Sequence, residues 1–117
     1  MFSDPLIYND GSTNYNAPRV NETPKKYTYK FTNGGIDFIV DISQNGSARR
    51  KRHEFRITVV GDVTIGGVTS RPSFSTMLII DEPANQPNPV SQVQAVWHAL
   101  KATVTDDVIA KLVAGQK

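Results

Sequence analysis

No cysteine occurs anywhere in the chain, which excludes disulfides, cysteine-ligated zinc and a thiol nucleophile without fixing a compartment. Histidine is nearly as scarce. His53 and His98 are the only two, and the sequence puts one at a strand edge and the other on a helix, where His98 beside Trp97 reads as a surface residue. Two imidazoles on different layers do not make an acid–base pair or a metal centre. The adjacent acids Asp106 and Asp107 are accounted for by helix capping, and Asp81 and Glu82 by a solvated loop. Gly34-Gly35 and Gly66-Gly67 lack the lysine and the following helix that a phosphate-cradling loop requires. The expectation is a protein that is not an enzyme, with no cofactor, no metal and no small-molecule substrate.

Long apolar runs are missing too. Nothing is long enough to span a bilayer, and Met1-Phe2-Ser3-Asp4-Pro5 has neither the basic nor the apolar region of a signal peptide, so a soluble, unexported chain with no membrane partner is expected. No internal repeat or low-complexity tract appears. The 117 residues allow one domain with a modest core. A formal net charge of +2 is too small to demonstrate a polyanionic partner, but its distribution is uneven. Residues 25–56 hold eight Lys or Arg against three acids, leaving five against eight elsewhere.

What is present is concentrated at 25–60. Tyr27, Tyr29 and Phe31 alternate with Lys26, Thr28, Lys30 and Thr32. Ile36, Phe38, Val40 and Ile42 alternate with Asp37, Ile39, Asp41 and Ser43, and Phe55, Ile57 and Val59 with Glu54, Arg56 and Thr58. A period of two in β-branched and aromatic residues denotes half-buried strands, here three antiparallel ones with one apolar and one polar face. Taking Asn33-Gly34 as a type I′ turn pairs Phe31 with Ile36, Tyr29 with Phe38 and Tyr27 with Val40, and sets Lys30 opposite Asp37 and Lys26 opposite Asp41. In the next hairpin, facing Ile42 with Phe55 and Val40 with Ile57 brings Arg56 opposite Asp41. A slip that set Asp41 against Glu54 would place like charges opposite each other. The expected polar row is therefore Lys26, Asp41, Arg56.

The remainder follows in order. Residues 1–24 carry two short patches, Leu6-Ile7-Tyr8 and Arg19-Val20, on either side of the turn-forming run Asn9-Asp10-Gly11-Ser12, which predicts an edge hairpin or an extended arm. After the ribbon, a short strand at 63–65 and a mobile Gly66-Gly67 loop lead to a fifth strand at 74–80, which Asp81-Glu82-Pro83 stops and a loop at 84–87 follows. A helix starts with Asn88 as N-cap and Pro89 at its first position. Its stripe is Val90, Val93, Val96, Trp97 and Leu100, continuing to Val104. Thr105, Asp106 and Asp107 cap a second helix, with stripe Val108, Ile109, Leu112 and Val113, that ends at Gly115. Strands first and helices last predict an α+β fold: 1–24 a hairpin or arm, 25–80 a sheet, 88–115 two helices on one face. Two narrow stripes cover five strands thinly, so a second subunit is inferred to complete the core.

Arg49, Arg50, Lys51 and Arg52 then stand at the end of the second hairpin. Four consecutive cations are either solvated or neutralised by a polyanion. The neighbouring polar face continues with Lys26, Lys30, Arg56, Thr28 and Thr58, and it stays open if the helices cover the other face. Lys, Arg and Thr on a flat sheet suit phosphate contacts. Asp37 and Asp41 cancel part of that field, so the tip is expected to carry more of the attraction than the centre.

With an N-terminal hairpin, a five-stranded antiparallel meander and two C-terminal helices, the chain resembles the coat proteins of single-stranded RNA bacteriophages, the leviviruses. The likeness covers most of the chain from about Lys25. It rests on Ser47-Ala48 before the basic run, on Thr64-Ile65-Gly66-Gly67-Val68 with Pro72 ahead of the last strand, and on the closing helix. It implies an intertwined homodimer, with sheets joined edge to edge and helices lying over the partner's sheet through Val93, Trp97 and Leu100. It implies an icosahedral shell in which the loop holding Gly66, Gly67, Arg71 and Pro72 contacts neighbours in more than one conformation. Location in the virion, and in the bacterial host cytoplasm during assembly, follows from the same likeness. The open sheet face would bind single-stranded genomic RNA, and in relatives it recognises an RNA hairpin to repress translation. By position, the RNA-facing residues would be Lys26, Thr28, Lys30, Ser43, Arg56 and Thr58, with Arg49, Arg50, Lys51 and Arg52 beside them. Asp37, Ile39 and Asp41 depart from the polar or basic pattern of relatives, and Phe74, near Thr76, replaces their stacking aromatic only if it faces inward. The alternative reading is a small non-viral nucleic-acid-binding module.

Overall fold

A computed structural model describes residues 2–85 and 89–116. The chain forms β1 (Leu6–Asn9), β2 (Asn14–Ala17), β3 (Arg19–Glu22), β4 (Lys26–Asn33), β5 (Ile36–Gly46), β6 (Arg50–Val60), β7 (Val63–Ile65), β8 (Val68–Ser70), β9 (Ser73–Pro83), α1 (Val90–Thr103) and α2 (Asp106–Val113). An antiparallel five-stranded sheet has the order β3-β4-β5-β6-β9, and β1-β2 and β7-β8 are separate hairpins. The α+β class, with sheet before helices, is as the sequence predicts.

The ribbon's second hairpin has the predicted register, with Ile42 opposite Phe55, Val40 opposite Ile57 and Asp41 opposite Arg56. Its first hairpin is shifted by two residues. Phe31 faces Phe38, Tyr29 faces Val40, Tyr27 faces Ile42, and the last pair is Asn33 with Ile36. The turn is Gly34-Gly35, with φ of 61° and 78°, because two glycines satisfy both left-handed positions of a tight hairpin turn without steric cost. A shift of two leaves every side chain on its own face, so alternation could not distinguish the two registers. Thr28, not Lys26, therefore stands directly opposite Asp41, and Thr32, not Lys30, opposite Asp37.

The N-terminal segment contributes more than an arm. β1 and β2 form the expected hairpin, with Asp10 Oδ1 accepting from the Ser12 and Thr13 amides in the turn. Arg19 and Val20 belong instead to β3, which takes the edge place beside β4. The sheet thus spans 19–83, not 25–80, and its fifth member is β3 instead of the 63–65 strand.

The β1-β2 hairpin lies over the apolar face of β4 and β5. Tyr8, Ala17, Tyr29, Val40 and Ile42 form the buried core, and Tyr27, Phe31, Phe38, Phe55 and Ile57 pack around them. Phe31 stacks on Phe38 at 4.7 Å between ring centroids, and Tyr15 on Phe31 at 5.1 Å. Arg19 ties the corner together. Its guanidinium lies 4.1 Å from the Tyr27 ring centre and donates to Tyr29 Oη at 3.1 Å and to the Phe2 carbonyl at 2.9 Å.

The C-terminal half differs from expectation in several places. Gly66-Gly67 is a tight hairpin turn, φ 59° and 78°, that joins β7 to a further strand, β8, which the sequence did not predict. β9 runs on through Asp81, Glu82 and Pro83, which the sequence assigned to a stop, because β6 offers a full-length ladder ending at Arg50 opposite Pro83. The helix begins at Val90, with Pro89 just before it; the proposed cap Asn88 lies outside the described residues. α2 is capped as predicted, the Thr105 hydroxyl accepting from the Val108 amide, with Asp106 and Asp107 in its first turn. Gly115, φ 80°, follows its end. No residue of either helix is buried, so the helices add almost nothing to this chain's own core. Among the described residues no helix is long and apolar enough to cross a membrane.

Candidate nucleic-acid interface

Alternation places Lys26, Thr28, Lys30, Ser43, Arg50, Arg52, Arg56 and Thr58 on one face, because each lies in register with a polar-face neighbour across β4, β5, β6 and β9. The row Thr28, Asp41, Arg56, Met77 crosses all four strands. Lys51, opposite Glu82, points to the other face, and Arg49 sits in the β5-β6 turn.

Nearly every charge on this face is answered by another. Lys26 Nζ lies 3.6 Å from Asp41 Oδ1, and Lys30 Nζ lies 4.0 Å from Asp37 Oδ2, both as diagonal contacts. Arg50 Nε is 2.9 Å from Asp81, and Arg52 Nε is 2.8 Å from Glu54. The Thr28 hydroxyl donates to Asp41, and the Ser43 hydroxyl to Glu54. The basic tip is accordingly only partly free. Arg50, Lys51 and Arg52 lie within β6, alongside Asp81 and Glu82 of β9, and the exposed pairs of Arg50 and Arg52 are individually weak but offset half of its charge. The signal missed was the run of paired residues past Ile80, hidden because Asp-Glu-Pro reads as a strand breaker.

Arg56 is the exception. Among the described residues it is the one cation of this face with no carboxylate within ion-pair distance, and its Nη2 lies 3.5 Å from Met77 Sδ. Ile39 and Ile79 leave apolar ground on the same face, Ile39 opposite Thr58 and Ile79 opposite Glu54. Phe74 is not there. It pairs with Val59 on the apolar face, and Thr76 with Ile57, so neither can serve as an inward stacking group.

At one corner, Arg71 joins the loop residues Gly66, Gly67 and Pro72 to the sheet. It donates through Nη1 to Asp62 at 3.1 Å and through Nη2 to Asp37 at 3.0 Å. The Thr32 hydroxyl and then the Arg71 guanidinium hold the Asp37 carboxyl below the usual aspartate range, while Asp37 and Asp62 raise the Arg71 guanidinium.

The two histidines lie on different elements, β6 and α1. His53 lies on the apolar side of β6, with Nε2 2.8 Å from Glu82 and Nδ1 beside Gln44 Oε1, and His98 is exposed on α1. Among the described residues no group of three or more His, Asp or Glu could hold a metal ion.

On the apolar face, β1 and β2 stop short of β9. There Val93, Val96, Trp97 and Leu100 of α1 and Leu78 and Ile80 of β9 line a groove of about 560 Å³. Trp97 is 39 % exposed and Leu100 45 %. α2 presents Ile109, Leu112 and Val113 to solvent.

No protein-family model and no curated protein matches the sequence. Solved structures do resemble the fold. The chain is similar to that of the virus-like particle of Beihai levi-like virus 21, with 12 % identity, 97 % of this chain and 95 % of that chain covered, and a TM-score of 0.62. It is also similar to that of the virus-like particle of Wenzhou levi-like virus 1, with 14 % identity, coverage of 95 % and 96 %, and a TM-score of 0.61. At these identities the likeness is one of fold, spanning essentially the whole of both chains. It is the levi-like fold that the sequence resemblance implied.

Proposed function

We propose that this chain is a capsid subunit that dimerises, closes into an icosahedral shell and holds single-stranded genomic RNA against the polar sheet face. It works in the virion after assembly in a bacterial host's cytoplasm. The observation that carries this reading is the unfinished monomer. β9 is an eleven-residue edge strand with no partner on its outer side among the described residues, and such an edge pairs readily with another chain. Beside it the apolar face is open, and two helices without a buried residue stand ready to cover a partner. A fold shared with subunits of levi-like virus-like particles supports the same reading.

The polar face supports packaging more than recognition of one RNA hairpin, and so more than translational repression. Its cations are largely paired, it carries no aromatic side chain among the described residues, and its free guanidinium is Arg56. Sequence readers of single-stranded RNA commonly stack bases on aromatic rings or arginine planes and read their edges. Of the hydroxyls at Thr28, Ser43 and Thr58, the first two already donate to Asp41 and Glu54, which leaves Thr58 for backbone contacts. Purified protein viewed by negative-stain electron microscopy, with extraction of any enclosed RNA, tests the proposal: closed shells containing RNA support it. Under the competing reading as a small non-viral nucleic-acid-binding module, RNA binding persists without shells under any condition.

A further inference from the structure

The β7-β8 hairpin is attached to the rest of the molecule at very few points. It is a two-stranded sheet of its own and shares no ladder with the five-stranded sheet. The Gly61 amide donates to the Pro72 carbonyl at 3.4 Å and closes its base. Inside it, Thr64 bonds Thr69 and Ser70 bonds the Val63 carbonyl. Every side-chain hydrogen bond from this corner to the sheet, among the described residues, comes from Arg71. Its Nη1 donates to the Gly35 carbonyl at 3.3 Å and to Asp62 at 3.1 Å, and its Nη2 to Asp37 at 3.0 Å.

We propose that Arg71 is a latch that sets the direction in which the β7-β8 hairpin projects, and that releasing it lets the hairpin re-aim while the sheet stays intact. Its anchor is well placed. Asp37 is fixed from the sheet side by the Thr32 hydroxyl at 2.7 Å and by Lys30 at 4.0 Å, so it does not travel with the arginine. The Gly35 carbonyl belongs to the tight β4-β5 turn and is equally fixed. A planar guanidinium can serve two carboxylates and a carbonyl together, whereas an ammonium would hold one point without defining a direction. The load is apolar and forward: Ile65 is 76 % and Val68 70 % exposed on either side of Gly66-Gly67. Resting on the assembly reading, the latch fixes where those two side chains meet a neighbouring copy.

The test uses the absence of cysteine. Spin labels on Val68→Cys and Asn45→Cys, at the hairpin tip and the far end of β5, report the hairpin direction by pulsed electron resonance in full-length protein diluted with unlabelled chains. With Arg71 present, one narrow distance is expected. Arg71→Gln should broaden it at least twofold, and Arg71→Lys should fall between, while amide exchange across β4, β5 and β6 is unchanged. An equally narrow distance in Arg71→Gln overturns the latch, and so does loss of protection throughout the sheet, which would make Arg71 a general stabiliser. The distance is read whether or not shells form, so broadening in protein that never assembles leaves the latch standing and removes the capsid reading.

Discussion

Arg50 Nε meets Asp81 Oδ1 at 2.9 Å across the β6-β9 pair, and Arg52 meets Glu54, so half of the most conspicuous basic run of the sequence is paired within the sheet. On the proposed function, Arg56 is the cation of the sheet centre left free for a phosphate. Arg56→Ala should weaken binding of single-stranded RNA uniformly across sequences and lower the slope of log affinity against log salt by about 0.7 for one lost phosphate contact. Arg50→Ala should change that slope less, since the Arg50 charge is already answered by Asp81. Filter-binding titrations over a salt series on the two variants check the order.

The small core makes a second expectation. Tyr29 is fully buried, and its hydroxyl accepts from Arg19. Tyr29→Ala should cost about 3–5 kcal/mol by analogy with other buried aromatic truncations. Tyr29→Phe should cost about 1–3 kcal/mol through the donor left unpaired. Urea denaturation of both variants at fixed protein concentration measures the difference.

Trp97 and Leu100 face a groove that this chain does not fill. Trp97→Asp or Leu100→Asp should abolish dimer formation at micromolar concentration while the strand signal in circular dichroism persists, because neither residue belongs to the chain's own buried core. Sedimentation velocity reads the outcome.

The Arg71 contact has a pH dependence whose sign follows from Asp37. Its carboxyl is held below the usual range, first by the Thr32 hydroxyl and then by Arg71, with Lys30 adding its charge. The stabilisation is therefore complete above the ordinary aspartate value of about 4 and is lost only as pH falls through the lowered native value. The hairpin distance should stay narrow at mildly acid pH and broaden below that range. Thr32→Val, which removes the largest cause, should shift the broadening to higher pH.

Much of this architecture was legible in the sequence, and the losses have specific reasons. Alternation identified the three ribbon strands, and the match of Ile42 with Phe55 gave the second register because slipping it brings acids together. The first register was lost at 33–35, where Asn-Gly and Gly-Gly are both good hairpin turns and a two-residue shift costs no burial. β3 was missed because Arg19-Val20-Asn21-Glu22 has no apolar period; what seats it is the Arg19 guanidinium against Tyr27 and Tyr29, a contact between segments. The candidate RNA face was readable residue by residue, but its electrostatics were not. Asp81 sits about thirty residues from Arg50, the cation it pairs with, and only the ladder brings them together.

The capsid reading is tested most directly by negative-stain electron microscopy of the purified full-length chain with single-stranded RNA. Closed particles of uniform diameter, with RNA protected from nuclease, are the predicted result. A field without shells across salt and protein concentrations, from protein that sediments as a folded monomer or simple dimer, would contradict it.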